Sequence, residues 1–373
     1  MKYYIISGEA SGDLHGANLM KSLFLQDPAA EVRFFGGDLM QQVGGTLVKH
    51  YRDLAFMGFA EVLMNLRTIL KNIRFCKKDL MAFAPDALVL IDYPGFNMRI
   101  AAFAKKQGIP VHYYISPQIW AWKEGRIDKI KRDVDALYVI LPFEKDFYEQ
   151  KHQFPVHFVG HPLIDAIADR PSRDPRDFRS THGLSNKPII ALLPGSRKQE
   201  IRKMLSIMLR MPKQFPDFQF VIAGAPSQEE AFYKQFINGE NVHFISNKTY
   251  DLLSVSFAAV VTSGTATLET ALFKVPQIVV YKTSWLSYQI GKRLINLRFI
   301  SLVNLIMDRK VVEELIQDRF NAQILETSLE ELLGNDTRSR ILSDYEQLEQ
   351  QLGGQGASQK VATLVHQKIS GAC

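Results

Sequence analysis

ALVLIDYPGFN, at residues 87–97, is a run of five apolar residues followed by an acidic residue and a turn. A short run that is apolar throughout predicts a strand buried on both faces, as in parallel sheets. Similar runs recur, mostly separated by amphipathic stretches of helical length, which predicts right-handed βαβ units. The predicted strands are residues 2–6, 32–35, 87–91, 111–115, 136–140, 156–159, 189–193, 218–223, 242–245, 258–261 and 277–281.

The alternation is interrupted at residues 169–175, a polar stretch with two prolines that predicts a linker. A chain of 373 residues suits two globular domains. We therefore predict an α/β fold with two Rossmann-like, doubly wound parallel-sheet domains, residues 1–168 and 169–340, facing a cleft. The pattern is helical from about residue 311 to the end, and residues 341–373 are predicted to form a helical tail.

The composition excludes several classes of protein. With 46% hydrophobic and 23% charged residues, the chain resembles an average soluble protein rather than a disordered one. Its two cysteines, Cys76 and Cys373, are too far apart in sequence to indicate a disulfide framework or a thiolate metal site. The same cysteine usage favours a reducing cytoplasm. No apolar run is long enough for a signal peptide or a membrane-spanning helix, so we expect a soluble or peripheral protein.

The loop after the first predicted strand, residues 7–13, contains candidate cleft residues at Gly8, Glu9 and Ser11. Its glycines permit a tight turn, and Ser11 or Asp13 is placed to cap a helix predicted from Leu14. The loop matches neither the dinucleotide-binding fingerprint nor a P-loop, so it has a structural or a ligand-binding role. His161, after the strand at residues 156–159, lines the cleft or packs a turn.

Asp92 directly follows the strand at residues 87–91. Ligands of open α/β sheets bind beyond the carboxyl ends of the strands, so its carboxylate is a candidate general base. The alternative is an ordinary helix-capping or turn role.

Two loops of the second predicted domain suit phosphate. Gly195, Ser196 and Arg197 follow a strand and open a helix, which indicates a diphosphate cradle without lysine or metal, or alternatively a plain helix cap. The second loop has Ser263, Gly264 and Thr265 at a helix start and Glu269 one turn later. Ser263 and Thr265 are expected to cap that helix, and a carboxylate at Glu269 suits the hydroxyls of a ribose. The nine histidines show no metal-binding spacing.

The net charge of +6 is too small to indicate nucleic acid, but the basic residues are clustered. Residues 49–78 carry seven basic and two acidic side chains, and residues 99–132 carry eight and two. Aromatic and apolar residues are interleaved with them, which indicates either an amphipathic helix on the sheet or a surface for anionic lipid. The candidates for that surface are Phe56, Met57, Phe59, Arg67, Lys71, Arg74, Trp120 and Trp122.

Taken together, the motifs resemble those of the lipid-A-disaccharide synthase family of Gram-negative bacteria. The resemblance rests on blocks that occur in order along most of the chain. They are residues 7–13, 57–62, 91–97, 114–122, 141–144, 159–162, 193–197, 263–269 and 301–305.

The resemblance implies a glycosyltransferase-B fold and the transfer of 2,3-diacylglucosamine from its UDP donor to 2,3-diacylglucosamine 1-phosphate, forming a β(1→6) link and UDP. It implies that Asp92 is the base, that Arg197 and Glu269 hold the nucleotide, and that Asn304 lies near the active site. No cofactor or metal is expected, because a UDP leaving group needs no second acid once its charge is stabilised. Val303 stands where the family often has proline, and the stretch after Arg197 is unusually basic.

The resemblance also implies partners: the two lipid substrates, the inner face of the cytoplasmic membrane and a second copy of the chain, exchanged through the carboxy-terminal region. Two alternatives remain open. One is another UDP-sugar enzyme of the same fold, such as UDP-N-acetylglucosamine 2-epimerase or a lipid-acceptor N-acetylglucosaminyltransferase. The other is a non-catalytic peripheral protein that binds lipid or nucleotide, which leaves Asp92 without a purpose.

Overall fold

The chain folds into two compact units, each built on one parallel sheet. The first comprises Met1–Ala168 and the chain from Leu352 onward, and the second comprises Asp169–Gln351. The computed structural model describes residues 1–54, 66–170, 174–226, 228–237, 242–284, 288–289, 293 and 297–371. The predicted parallel α/β architecture is confirmed.

The sheet of the first unit has seven parallel strands in the order β3-β2-β1-β4-β5-β6-β7. Ser7 pairs with Ile91, and Ile91 with Tyr114, so the carboxyl ends of three neighbouring strands meet at one edge. The strands are β1 (Lys2–Ser7), β2 (Glu31–Gly36), β3 (Thr46–His50), β4 (Ala87–Ile91), β5 (Val111–Tyr114), β6 (Ala136–Val139) and β7 (His157–Phe158).

Helices cover both faces of this sheet. One face carries the main core cluster, in which Tyr4, Leu90 and Tyr113 are fully buried. The helices of the unit are α1 (Ala10–Gln26), α2 (Asp38–Val43), α3 (Leu66–Phe83), α4 (Pro94–Lys106), α5 (Ile127–Asp133), α6 (Pro142–Asp146), α7 (Pro162–Ala168) and, from the end of the chain, α16 (Ala357–Ser370). The last of these packs against α1.

The second unit has six parallel strands in the order β10-β9-β8-β11-β12-β13. They are β8 (Ile189–Leu193), β9 (Gln219–Gly224), β10 (Val242–Ser246), β11 (Ala258–Thr262), β12 (Gln277–Tyr281) and β13 (Glu313–Ile316). The helices are α8 (Pro175–Thr181), α9 (Lys198–Met208), α10 (Glu230–Lys234), α11 (Thr249–Leu253), α12 (Thr265–Leu272), α13 (Leu302–Met307), α14 (Ala322–Leu333) and α15 (Asn335–Gln351).

Two edge strands were not predicted. The expectation of an entirely helical chain from residue 311 is wrong, because Glu313–Ile316 forms β13 and pairs with β12. Its two glutamates hide it from a search for apolar runs, since an edge strand has one neighbour and stays partly accessible. Thr46–His50 is partly exposed in the same way at the edge of the first sheet.

The predicted tail, residues 341–373, is divided between the two units. Its first part lies in α15, which belongs to the second unit, and α16 belongs to the first. Val361, Ala362 and Val365 of α16 are fully buried, so this helix is part of the fold of the first unit.

Candidate functional site

Asp92 lies at the carboxyl end of β4, in a sharply turned backbone. Asp92 and Tyr93 have φ values of +44° and +48°, in the left-handed region that non-glycine residues seldom adopt. The Asp92 N–H donates to the Tyr114 carbonyl at 3.0 Å, which ties the turn to β5. The turn therefore places the Asp92 carboxyl group at the carboxyl end of β4.

The surroundings of Asp92 favour its neutral form. Burial raises the pKa of its carboxyl group to about 6, and the charges of Glu9 and Glu144 act in the same direction. A hydrogen bond from the Tyr93 N–H opposes this shift. A carboxylate with a pKa near 6 accepts protons at neutral pH much better than an ordinary aspartate does.

Gly8 and Glu9 lie beside this turn. A Cβ atom at Gly8 would collide with the Tyr93 ring, so only glycine lets the ring pack there. The Tyr93 hydroxyl donates to the Leu54 carbonyl at 2.9 Å. Ser11 is exposed in the first turn of α1.

The predicted start of α1 is wrong. The helix begins at Ala10 with Glu9 as N-cap residue, so neither Ser11 nor Asp13 caps it. Asp13 is instead buried, and its carboxylate accepts hydrogen bonds from the N–H groups of Gly37 (2.7 Å), Leu39 (3.0 Å) and Met40 (3.1 Å). These partners are distant in sequence, so a local capping pattern does not reveal them.

Glu144 organises the loop after β5 and was not among the predicted site residues. Its buried carboxylate accepts hydrogen bonds from the Ser116 hydroxyl at 2.6 Å and the Trp120 Nε1 at 3.2 Å, and also from two main-chain N–H groups. Trp120 also packs edge-on against Phe143. Trp120 is therefore held inward, whereas Trp122 is 44% exposed, with the Lys123 Nζ 4.1 Å from its ring centre.

The exposed side of α3 carries the predicted basic residues. Arg67, Lys71 and Arg74 are exposed, as are the apolar side chains of Leu70 and Phe75. We call these five residues the α3 surface. Phe56, Met57 and Phe59, which were predicted to belong to the same surface, lie outside the described residues.

His161 lies in the interior of the first unit. Its N–H donates to the Leu352 carbonyl at 2.9 Å, and its Nδ1 accepts from the Leu163 N–H at 3.2 Å. Burial, with a smaller effect from His15, lowers the pKa of His161 to about 3, so the ring is neutral. In this unit His161 packs a turn and holds the returning end of the chain.

In the second unit, the two loops predicted to hold phosphate lie side by side. Leu193 of β8 pairs with Val261 of β11, so the segments that follow them are neighbours. Gly195 has a φ of +98°, and a Cβ there would lie 3.5 Å from the Thr262 Cγ2. Arg197 is exposed, with its Nη1 3.4 Å from the Glu200 Oε1. Its guanidinium group lies next to the start of α9.

The start of α12 differs from the prediction. Gly264 is the N-cap residue, with a φ of +154°, and Thr265 is the first helical residue. Ser263 does not cap the helix, because its hydroxyl donates to the Ile300 carbonyl at 2.8 Å. The N-cap residues of the two helices, Arg197 for α9 and Gly264 for α12, form no side-chain cap hydrogen bond to the first turn. Both starts therefore present N–H groups that suit an anion.

Glu269 has a partner that the sequence did not indicate. The Tyr250 hydroxyl donates to the Glu269 Oε1 at 2.8 Å. Burial raises the pKa of Glu269, and the hydrogen bond from Tyr250 opposes this. Tyr250 lies in α11, nineteen residues earlier, so only the tertiary structure joins the two.

Asn304 is fully buried, and its amide is occupied by contacts within the second unit. Its Nδ2 donates to the Val312 carbonyl and the Glu314 Oε1, both at 2.9 Å. Its Oδ1 accepts from the N–H groups of Val311 and Val312. Asn304 therefore fixes the loop before β13 through these hydrogen bonds.

The two parallel-sheet units have the glycosyltransferase-B fold. The chain is similar to UDP-GlcNAc 2-epimerase from Neisseria meningitidis, with a TM-score of 0.65, 14% identity and full coverage of both chains. It is also similar to the glycotransferase of kitacinnamycin, with a TM-score of 0.66, 12% identity and 98% of both chains covered. At these identities the likeness shows the fold alone.

The family model for lipid-A-disaccharide synthetase matches residues 3–368. The chain is 41% identical over 368 residues to the lipid-A-disaccharide synthase of Syntrophus aciditrophicus, covering 96% of both proteins. It is 40% identical over 371 residues to that of Coxiella burnetii, covering 98% of both. The chain belongs to the lipid-A-disaccharide synthase family and is a hexosyltransferase of lipid A biosynthesis. The family predicted from the motifs is confirmed.

Two properties of the described residues bear on metal binding and on membranes. No group of three or more His, Cys, Asp or Glu side chains in them is placed to hold a metal ion. Independence of metal and cofactor stays a prediction. None of the helices formed by the described residues combines the length and hydropathy needed to cross a bilayer.

Proposed function

We propose that the chain transfers 2,3-diacylglucosamine from UDP-2,3-diacylglucosamine to 2,3-diacylglucosamine 1-phosphate, with Asp92 as the base. The observation that carries the role of Asp92 is its partly buried carboxyl group at the end of β4, with a pKa raised to about 6. The Asp92 carboxylate takes the proton of the acceptor 6-hydroxyl as that oxygen bonds to the anomeric carbon. The bond from that carbon to UDP breaks, and the configuration is inverted.

The second unit holds the donor in this proposal. The Arg197 guanidinium and the N–H groups at the starts of α9 and α12 bind the diphosphate, whose charge grows as UDP departs. Gly195, Ser196, Ser263, Gly264 and Thr265 form the walls of this cradle, and Glu269 accepts hydrogen bonds from the ribose. These groups stabilise the leaving group by themselves, so we propose a reaction without metal or cofactor.

The lipid substrates require access to a bilayer, and we assign that contact to the α3 surface and Trp122. Basic side chains flank exposed apolar ones there, which suits the interface of an anionic membrane. The protein is then a peripheral protein on the cytoplasmic face of the inner membrane. A homodimer that exchanges α16 is part of the same proposal, because α16 is a discrete helix that a second copy can supply.

The test is direct. We expect the purified chain, incubated with UDP-2,3-diacylglucosamine and the 1-phosphate acceptor, to release UDP and form a disaccharide without added divalent cation and in the presence of EDTA. Conversion of UDP-N-acetylglucosamine to its 2-epimer would instead assign the epimerase alternative. Binding of UDP without turnover of any substrate would assign the non-catalytic one.

A further inference from the structure

The carbonyl oxygen of Asp92 accepts two side-chain hydrogen bonds. Asn97 Nδ2 and the Tyr113 hydroxyl each donate to it at 2.7 Å. Both donor side chains are fully buried. We propose that Asn97 and Tyr113 are positioning residues, a carbonyl clamp that holds Asp92 in the left-handed conformation from which its carboxyl group acts. This inference rests on the proposed role of Asp92 as the base.

The conformation needs such support. Asp92 and Tyr93 are consecutive non-glycine residues with positive φ, which crowds each Cβ against its own backbone. Residues with this strain persist when the surrounding structure fixes them from several sides. Here the Asp92 N–H is bonded to the Tyr114 carbonyl, and the Asp92 carbonyl to the clamp. Both peptide groups that flank the Asp92 Cα are thereby fixed.

Asn97 suits this position because its amide NH2 group supplies two N–H donors and faces several carbonyl oxygens. Its Nδ2 faces the carbonyl oxygens of Asp92, Ile91 and Ile6, at 2.7, 3.2 and 3.5 Å. Its main-chain N–H also donates to the Tyr93 carbonyl at 3.0 Å. An aspartate in its place has the same shape but turns a donor into an acceptor that faces three acceptors.

Tyr113 completes the clamp from β5. Burial raises the pKa of its hydroxyl well above the ordinary value, so it remains a donor throughout the working pH range. A phenylalanine there keeps the ring in the core and removes one hydrogen bond. The contacts of the clamp lie entirely within the first unit, so its loss is expected to leave donor binding in the second unit unchanged.

Loss of the clamp lets the Asp92 turn relax. The carboxyl group then leaves the shielded position beside the charges of Glu9 and Glu144 that raises its pKa. Two effects follow: kcat falls because the base is misplaced, and the midpoint of the pH–rate profile falls toward the ordinary carboxyl value. Substitution of a residue that merely stabilises the fold changes neither the midpoint of the pH–rate profile nor the ratio of kcat to donor KM.

The experiment compares Tyr113→Phe and Asn97→Asp with a matched control, Tyr4→Phe, in the full-length chain. Tyr4 is also a fully buried tyrosine of the same core cluster, and its hydroxyl donates at 2.7 Å to Asp79. We expect both clamp variants to lose between about tenfold and 100-fold in kcat, with donor KM within about twofold of the wild-type value. The pH–rate midpoint of Tyr113→Phe moves from about 6 toward about 4, whereas Tyr4→Phe keeps both values. Asn97→Asp adds a carboxyl group beside Asp92, which itself opposes ionisation of Asp92, so this variant is judged by kcat and donor KM alone.

The variant Asp92→Asn distinguishes failure of the clamp from failure of the proposed function. Its control is Asp86→Asn, at the opposite end of β4. An active Asp92→Asn enzyme overturns the role of Asp92 as base, whatever the clamp variants do. If Asp92→Asn is inactive while Tyr113→Phe keeps the wild-type kcat and pH–rate midpoint, the clamp is overturned. The role of Asp92 as the base is then retained. An equal loss of kcat in Tyr4→Phe and Tyr113→Phe, with unchanged midpoints, also overturns the clamp. Tyr113→Phe decides the question alone if Asn97→Asp does not fold.

Discussion

At the residue scale, the reactivity of Asp92 is set by its neighbours. Water solvates an ordinary aspartate and keeps its pKa near 4. Here burial opposes ionisation, and the Glu9 carboxylate adds like-charge repulsion. Because the proposed base must be ionised, we expect activity to rise with pH through a midpoint of about 6 and to be lost below it.

The contribution of Glu9 to this midpoint is testable. Glu9→Gln removes a negative charge that raises the Asp92 pKa, so the midpoint of the pH–rate profile is expected to move to lower pH. The measurement is the rate of UDP release between pH 4.5 and 8, chosen to bracket about 6. Glu31→Gln, an exposed change at the amino end of β2, is the control and keeps the wild-type midpoint. A midpoint that stays in place in Glu9→Gln contradicts the electrostatic explanation.

The hydrogen bond from Tyr250 predicts a selective change in nucleotide binding. In Tyr250→Phe the Glu269 carboxylate loses the donor that orients it, so contact with the ribose weakens. We expect the Kd for UDP to rise by about three- to tenfold, the equivalent of one neutral hydrogen bond. The Kd for 2′-deoxy-UDP, which lacks one ribose hydroxyl, is expected to change less.

Calorimetric titration of both nucleotides measures this difference. Tyr345→Phe is the control, because its hydroxyl is also a buried hydrogen-bond partner in the second unit, bonded to Gln277. Equal losses for UDP and its deoxy analogue in Tyr250→Phe would show that Tyr250 acts on the fold and not on ribose recognition.

At the scale of elements, one side of α3 is buried in the core of the first unit and the other side is exposed. Ile73, Cys76 and Leu80 recur at helical spacing and are buried in the core of the first unit. On its outer side, Leu70 and Phe75 are each 44% exposed, which is unusual for large apolar residues next to charged ones. The buried stripe anchors the helix, and the outer side is available for another partner.

Charge reversal of the α3 surface tests membrane binding. In Arg67→Glu/Lys71→Glu/Arg74→Glu, three attractions of about 1 kcal/mol each to anionic lipid become repulsions. We expect the partition coefficient onto phosphatidylglycerol-containing liposomes to fall on the order of 100-fold or more, as measured by co-sedimentation.

The matched control reverses three exposed basic residues of the second unit, Arg210, Lys213 and Lys234, and so changes the net charge equally. It is expected to retain most of its liposome binding. Equal loss in both triple variants would mean that net charge, and not the α3 surface, governs the association.

At the scale of the whole molecule, the end of the chain returns to its beginning. The Gly356 N–H donates to the Asp165 Oδ1 at 2.6 Å, and the Tyr3 hydroxyl lies 3.1 Å from the His366 Nδ1. With its apolar contacts to α1, this makes α16 a structural part of the first unit. The stability of that unit therefore depends on residues more than three hundred positions away.

A buried charge in α16 tests this dependence. Val361→Asp places a carboxylate at a fully buried position, which costs about 3 kcal/mol or more. We expect faster hydrogen exchange in residues 1–168 and unchanged exchange in residues 169–351, as measured by mass spectrometry. Lys360→Asp, one residue earlier and exposed, is expected to leave both patterns unchanged. Equal acceleration in the two units would contradict the assignment of α16 to the first one.

The sequence by itself determined the class of fold and the places where chemistry can occur. Continuous apolar runs such as Ala87–Ile91 are required by strands buried on both faces, so the parallel sheets were readable. The residues that follow these runs, Asp92 and Gly195 among them, fall at the strand edge for the same reason. The ordered motifs were enough to identify the family.

Only the tertiary structure decided what individual polar residues do. Asp13 holds the start of α2, Tyr250 orients Glu269, Asn304 fixes a loop, and Asn97 and Tyr113 meet at one carbonyl oxygen. A polar side chain can bond to any partner that the fold brings near, so its partner is not encoded in local spacing. Burial then makes that partner obligatory, because an unpaired polar group in the core is costly.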